Sequence, residues 1–384
     1  MGEKQWADAH RSPKDIRRRM PTGIGWEVLD HYPALSSSIL HPLSQRYPIC
    51  YDRNSGACFY PKRPIGRHLS SDRSVQHMQI RIGSRQSPLA RWQAHWVAEQ
   101  LTQLGIAVEI LWITTSGDVT QGALTEQGGS GLFTKEIQRA VLDGRCDLAV
   151  HSLKDLPTES VEGLMLAAVP LREDPRDALV TNTPIDSVFS LPKGGRVGSG
   201  SPRRAAQLRK LRPDLELVPI RGNVDTRLRK LHDEGLDAIL LATAGLKRLA
   251  IEHHAILPLP TDQMLPAVGQ AALGLEIAAD RDDLKNALAP LDDPSTHQAV
   301  LAERSMLREL RGGCLAPVAA LAACQSGRIT LRGAVFDLDG SRSVQTTVES
   351  VDGDPIALGK LASRLLISGG SDRFITPLRV PPMA

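Results

Sequence analysis

A chain of 384 residues, 41% hydrophobic and 23% charged, is long enough for two or three domains and is composed like an ordinary globular protein. Its net charge of +3 hides an asymmetry: residues 1–77 hold 12 Lys/Arg against 7 Asp/Glu and the remainder 34 against 36, a balance that does not favour a general nucleic-acid binder. No apolar run approaches the ~18 residues of a membrane helix. The five scattered cysteines (50, 58, 146, 314, 324), with no C-x-x-C pair, argue against a disulfide framework or a zinc site and for a reducing compartment.

Residues 1–77 show no sustained period and no apolar core of a secretory signal. The segment is expected to be disordered or dispensable. Met78 directly precedes the first strand, which suggests an over-extended gene start; the Arg and Ser content suggests a transit peptide instead, against which the length and the acids speak.

From residue 79 a pattern occurs twice. Residues 81–88 (RIGSRQSP) lead into a helix over 89–101, and residues 196–202 (RVGSGSP) into a helix over 203–211. Each unit reads as strand, Gly-Ser loop, Ser at the N-cap and Pro at the first helical position. A helix start so capped is a natural anion site. The echo continues with helices over 133–142 and 224–231, each ending at a Gly, and strands over 147–150 and 237–241. Two similar α/β lobes facing each other across a cleft are inferred. Between elements of the first lobe, the glycine-rich stretch 114–131 is long enough to be a lid. From about 292 a helix over 296–310, a hairpin of 328–338 with 343–351, and a helix over 355–366 make a third, small α/β domain.

The first lobe's strand 148–150 is an apolar run of the kind found in buried parallel strands, and His151, Ser152, Lys154 and Asp155 follow at once before Pro157. Ligands of open α/β sheets sit beyond such carboxyl ends. A surface Lys-Asp turn is the plainer reading. Asp118, in the glycine-rich stretch, is the rival carboxylate. Residues 196–230 hold ten basic residues against three acids. Arg209, Lys210 and Arg229 suit a solvated helix face. Arg203, Arg204, Arg221 and Arg227 stand at a helix start and a glycine turn, where a guanidinium fork can take carboxylates. With few aromatics to stack bases, a small polycarboxylate or phosphate fits better than nucleic acid. Cys314, after two glycines, is a candidate nucleophile or attachment site, whereas Cys146 and Cys324 read as small buried hydrophobes. His253-His254 lacks further metal ligands, so no metal site is expected.

Together these stretches resemble the porphobilinogen deaminase family from about residue 79 to the C-terminal region. The resemblance is carried by 81–90 (RIGSRQSPLA), 131–136 (GLFTKE), 150–157 (VHSLKDLP), 197–204 (VGSGSPRR), 219–227 (PIRGNVDTR), 242–249 (ATAGLKRL) and the Gly-Gly-Cys of 312–314. It implies an α/β fold of two periplasmic-binding-protein-like lobes around a cleft plus a small C-terminal α/β domain. The implied division is 78–172 with 268–290, 174–266, and 292–384. It implies a transferase that condenses four porphobilinogen units head to tail into hydroxymethylbilane, releasing ammonia at each addition. A dipyrromethane cofactor on Cys314 and an acid/base at Asp155 are implied as well. The implied binding residues are Arg85, Ser87, Gln93, Phe133, Lys154, Ser201, Arg203, Arg204, Arg221, Arg227, Arg248 and Gln270. A cytoplasmic monomer with no nucleic-acid or membrane partner is expected, or an organellar protein if 1–77 is a transit peptide. Ser130, Pro202 and Ala271 depart from the family's usual residues, which touches loop geometry rather than chemistry. Without the motifs, the same arginines would suit a non-enzymatic two-lobed carboxylate-binding protein, which needs neither Asp155 nor Cys314.

Overall fold

The computed structural model describes residues 50–52, 57–59, 78–115, 134–312, 316–350 and 353–375. The chain divides into two compact units, 1–70 and 71–384. In the first, β1 (Cys50–Asp52) pairs antiparallel with β2 (Ala57–Phe59). The rest of residues 1–77, for which disorder or dispensability was expected, lies outside the described residues.

The second unit opens with β3 (Gln79–Ser84), α1 (Pro88–Gln103), β4 (Ala107–Trp112), α2 (Lys135–Leu142), β5 (Leu148–Ser152) and β6 (Leu164–Ala168). It continues with β7 (Asp177–Thr181), β8 (Arg196–Gly198), α3 (Pro202–Leu211), β9 (Glu216–Val218), α4 (Val224–Asp233), β10 (Ala238–Ala242), α5 (Thr243–Arg248) and β11 (Ala255–Pro258). Then come β12 (Leu273–Ala278), α6 (Asp282–Leu288), α7 (Pro294–Leu310), β13 (Val318–Gln325), β14 (Arg328–Phe336), β15 (Ser343–Ser350), α8 (Pro355–Ser368) and α9 (Asp372–Ile375).

The two five-stranded sheets have the same plan. Their orders are β4-β3-β5-β12-β6 and β9-β8-β10-β7-β11. In each, the strand that arrives from the other lobe (β12 in the first, β7 in the second) is inserted antiparallel between the third and fourth strands. The chain therefore crosses between lobes twice, and both crossings end in a buried strand inside a sheet, one place in from its edge. The run 148–150, expected in a buried parallel strand, is buried and runs parallel to β3; on its other side it pairs antiparallel with β12. The run is apolar because both sheet faces are covered. Ile80, Ile82, Leu148 and Val150 pack under Ala94, Val97 and Leu101 of α1, while Ala149 faces Ile137 and Val141 of α2.

The helix starts are built as their sequences dictate. The Ser87 side chain accepts from Ala90 N with Pro88 next to it, and Ser201 accepts from Arg204 N with Pro202 in the same place. Gly144 and Gly235, at φ 67° and 59°, take the left-handed conformation that ends α2 and α4.

In the third sheet, β13 pairs antiparallel with β14 over eight residues and β14 with β15. Ala302, Met306 and Leu310 of α7, with Leu358, Ala362 and Leu366 of α8, close over it. The hairpin of β14 and β15 was expected; β13 was not, because an alanine-rich run has low strand propensity until a partner is supplied.

Arg209 and Lys210 of α3 are exposed, as expected of a solvated face, and they also make contacts. Arg209 Nη1 donates to Leu338 O at 2.7 Å and Lys210 Nζ to Ser343 Oγ at 2.8 Å, so these side chains tether the helix to the third sheet's hairpin. Gly340, at φ 77°, sits on that helix, and a Cβ there would lie 2.5 Å from Ala206 O. Gly340→Val should therefore lower stability by about 1–3 kcal/mol, through overpacking and a disfavoured φ together. A urea midpoint equal to wild type would show that this contact is dispensable.

Candidate functional site

The site is built outward from the end of β5. Strand hydrogen bonding stops at Ser152, and the chain makes one turn of 3₁₀ helix, Leu153–Asp155. Leu153 is fully buried and its N–H donates to Ala272 O at 3.0 Å. It fits because Gly269 and Gly274 leave room: a Cβ at either would come within 3.3 or 2.8 Å of Leu153 atoms. With Leu153 anchored, Lys154 is half-buried and Asp155 is exposed. Ser152 is fixed from the helix side, since its hydroxyl exchanges hydrogen bonds with the buried Gln93 amide at 2.8 and 3.2 Å.

Opposite lies the start of the second lobe. Asp177, the first residue of β7, is fully buried. Its carboxylate accepts from Arg203 Nη1 at 2.7 Å, from Arg204 Nε at 2.9 Å and from Gln270 Nε2 at 2.9 Å, and it ion-pairs with Arg204 Nη2 at 2.7 Å. Burial pushes this carboxyl upward, but the two guanidiniums and the hydrogen bonds hold it well below the usual range. The two arginines also donate to the carbonyls of Leu265 and Leu240. They are thus fixed by the framework rather than swinging in solvent.

The cations crowd one another. Burial lowers Lys154 to about 8; Asp155 and Asp177 oppose that shift, and Arg204 and Arg203 add to it. Arg227 is also lowered, first by burial and then by Arg204, with Asp155 opposing; its Nε donates to Gly222 O at 2.8 Å. Four basic groups therefore share a region in which Asp155 and Asp177 are the acids that act on them. A ligand carrying several carboxylates would relieve that imbalance.

The protonated Lys154 amine is the form that binds a carboxylate, and it is lost as pH rises through about 8. Ligand affinity should accordingly weaken above that pH, with proton uptake on binding, and Lys154→Met should remove this limb of the profile. An unchanged limb in that variant would place the titrating group elsewhere.

The other expected residues are placed as follows. Arg248 of α5 donates to Ala271 O at 2.7 Å and lies over the Trp92 ring at 5.6 Å, with its pKa brought by burial to about 10 against the pull of Glu173. Ala271 itself has φ 72°, the conformation glycine prefers. Gln270 is fully buried, and its Oε1 finds no partner. Ser87 and Ser201 are engaged as helix caps. Arg85 is half-buried at the end of β3, and Arg221 is exposed. Phe133, Cys314, Ser130 and the rival Asp118 lie outside the described residues, as does most of the 114–131 stretch.

Asp177 was missed in the sequence; an acid opening an apolar strand, just after Arg176, was the available signal. Among the described residues no cluster of His, Cys, Asp or Glu could hold a metal ion, and no helix is long and apolar enough to cross a membrane. A cavity of about 340 Å³, bordered by Lys210, Thr261 and Arg332, involves none of these site residues.

Fold and site define a two-lobed α/β protein with a carboxylate placed among framework-held cations. Residues 80–286 match the family model described as "Porphobilinogen deaminase, dipyromethane cofactor binding domain", and residues 297–368 match "Porphobilinogen deaminase, C-terminal domain". The chain belongs to the porphobilinogen deaminase family. It is 46% identical over 307 residues to the porphobilinogen deaminase of Syntrophotalea carbinolica, covering 79% of this chain and 97% of that one. Against the Geobacter metallireducens enzyme of the same name it is 46% identical over 298 residues, covering 77% and 93%.

Among solved structures, the L-cystine solute receptor of Neisseria gonorrhoeae is 14% identical with a TM-score of 0.34, covering 57% of this chain and 88% of the receptor. A probable amino-acid ABC transporter binding protein of Bacillus subtilis is 11% identical with a TM-score of 0.35, covering 56% and 90%. Both likenesses are slight.

Proposed function

We propose that this chain deaminates porphobilinogen and condenses four units head to tail into hydroxymethylbilane, as a cytoplasmic monomer with Asp155 as its acid/base. Membership of the family carries the reaction class. The observation that carries the site is Asp155, exposed at a sheet's carboxyl end and acting electrostatically on Lys154 and Arg227. In this reading 78–172 with 268–290 form the catalytic lobe, 174–266 the carboxylate-binding lobe and 292–384 the attachment domain.

The residues fit a dipyrromethane held through Cys314. Such a group carries carboxylates on both rings, and Lys154, Arg203, Arg204 and Arg227 are the clustered cations that would take them, with Arg85, Arg221 and Arg248 as further candidates. When bound, the group supplies a tethered primer for chain growth. The protein's own part is acid/base and electrostatic. The Asp155 carboxyl donates its proton to the aminomethyl nitrogen of porphobilinogen as ammonia leaves. The carboxylate so formed faces the methylene-pyrrolenine cation left behind, and it then takes up the ring proton that is released. Lys154 and the arginines hold the substrate's acetate and propionate so that the reacting carbon meets Asp155.

Purified protein given porphobilinogen should release ammonia in step with its consumption and yield a linear tetrapyrrole. Tight binding without consumption would instead favour a carboxylate-binding protein, the reading that family membership disfavours.

A further inference from the structure

The turn that carries Asp155 is held from behind by the third domain's first helix. Arg304, on α7, donates through Nη1 to Leu156 O at 2.9 Å and through Nη2 to Pro157 O at 2.6 Å. One planar guanidinium thus spans the two carbonyls that directly follow Asp155, and it sits 148 residues away in sequence. Val300, one turn earlier on α7, packs with Leu153 and Leu156 on the same underside. Leu153 and Leu156 flank Lys154 and Asp155, so both ends of the turn are gripped while its two polar residues project away.

The helix doing the gripping is itself immobilised. Glu303, next to Arg304 and fully buried, accepts from Arg172 Nη1 at 2.6 Å and Nη2 at 3.2 Å, from Gly269 N at 2.7 Å and from Ala322 N at 2.8 Å. Arg172 lies on one crossing between the lobes and Gly269 on the other. Glu303 therefore ties α7 to both crossings, and Arg304 ties it to the turn. Burial lowers Arg304 to about 10, with Glu276 opposing the shift and Arg308 adding to it; the side chain remains a cation at neutral pH. The same helix ends at Leu310, four residues before Cys314 in the sequence, with Arg311 as its left-handed C-cap.

We propose that Arg304 is a positioning residue for Asp155: it sets the height and tilt of the 153–155 turn and registers it to the helix that leads into the Cys314 segment. The proposal rests on Asp155 being the acid/base. Arg304 does not reach the cleft; it acts through the two carbonyls. Losing the fork frees the turn to rock about Leu153, and Asp155 then meets the reacting carbon in fewer productive orientations. Misplacement of about 1 Å is enough to matter on the scale of ~10²-fold.

The test compares Arg304→Met, Arg304→Lys and Met306→Ala. Met306 is buried in the third domain's core on another face of α7, and its truncation reports what loosening the helix does by itself. Arg304→Met should lower kcat by roughly 10-fold to 10²-fold with KM within about twofold. Arg304→Lys, which can keep one of the two bonds, should fall in between. Amide exchange of a peptide covering 153–158 should speed up in Arg304→Met and stay near wild type in Met306→Ala. Adding Arg304→Met to Asp155→Asn should cost nothing further, because an unfit acid/base has no position to lose. The proposal is overturned if Arg304→Met behaves like Met306→Ala in both rate and exchange, or if its effect adds in full to that of Asp155→Asn. Near-normal turnover by Asp155→Asn alone would retire the catalytic reading beneath it, an outcome distinct from an inactive Asp155→Asn beside an unaffected Arg304→Met.

Discussion

Asp155→Asn should give a folded protein whose turnover falls by at least ~10²–10⁴, the range for losing a general acid/base. The substitution keeps shape and most hydrogen bonding but removes both charge and proton exchange. Folding should survive because the Asp155 side chain is exposed and the turn's anchors are Leu153, Leu156 and the carbonyls of Leu156 and Pro157. A further loss is expected if the carboxylate also stabilises the cation left when ammonia departs. Asp155→Glu keeps the group but displaces it, so measurable activity should return. Single-turnover rates on primer-bearing protein separate chemistry from primer assembly. If the Asn variant turns over normally while Asp118→Asn is inactive, the acid/base belongs to the 114–131 stretch.

Asp177→Asn should be among the most destabilising single changes in the second lobe, by about 3–5 kcal/mol. The pair it would break is not a surface ion pair. Asp177 is fully buried, and Arg203 and Arg204 are nearly so, at 4% and 5% exposure. Removing the anion leaves two buried guanidiniums with carbonyls as partners but no counter-charge. The pH dependence follows from the depressed carboxyl. Its stabilising contribution is fully present above the ordinary aspartate pKa of about 3.9 and is lost as pH falls below it. Wild type should therefore lose stability on acidification through a term that the Asn variant lacks. Urea unfolding at neutral and acid pH measures both. Glu349→Gln is the control, since that carboxylate pairs with Arg328 at the surface, both side chains being more than half exposed, and should matter little. Equal effects at the two positions would mean that the buried pair contributes no more than an exposed one.

What was legible in the sequence was local. Ser87-Pro88 and Ser201-Pro202 announce helix starts because capping chemistry needs neighbouring residues only. Gly144 and Gly235 announce helix ends in the same way. The repeat of these signals pointed to two lobes of one plan, and the strand orders agree. The inserted strands were not legible. β12 pairs with β5 across more than a hundred residues, and an apolar hexapeptide does not say which sheet it will enter. β13 was hidden by its alanines. In the site, Lys154 and Asp155 stood out because a strand end followed by charges is a local pattern. Asp177, Glu303 and Arg304 did not, because their importance comes from burial against partners far along the chain. Arg209 and Lys210 are exposed as expected, but their tethers were hidden, because the hairpin they bind lies about 130 residues on.

Intact mass decides whether this enzyme depends on a primer tethered at Cys314. Cys146 is a poor rival as a nucleophile: it is 1% exposed, and burial pushes its thiol up to about 11. Protein purified from cells that make porphobilinogen should be heavier than its sequence by two pyrrole units. Cys314→Ala should have the bare sequence mass, while Cys146→Ala and Cys324→Ala should keep the addition. An unmodified wild-type mass would rule out a covalent primer, and an addition that persists in Cys314→Ala would place its attachment elsewhere.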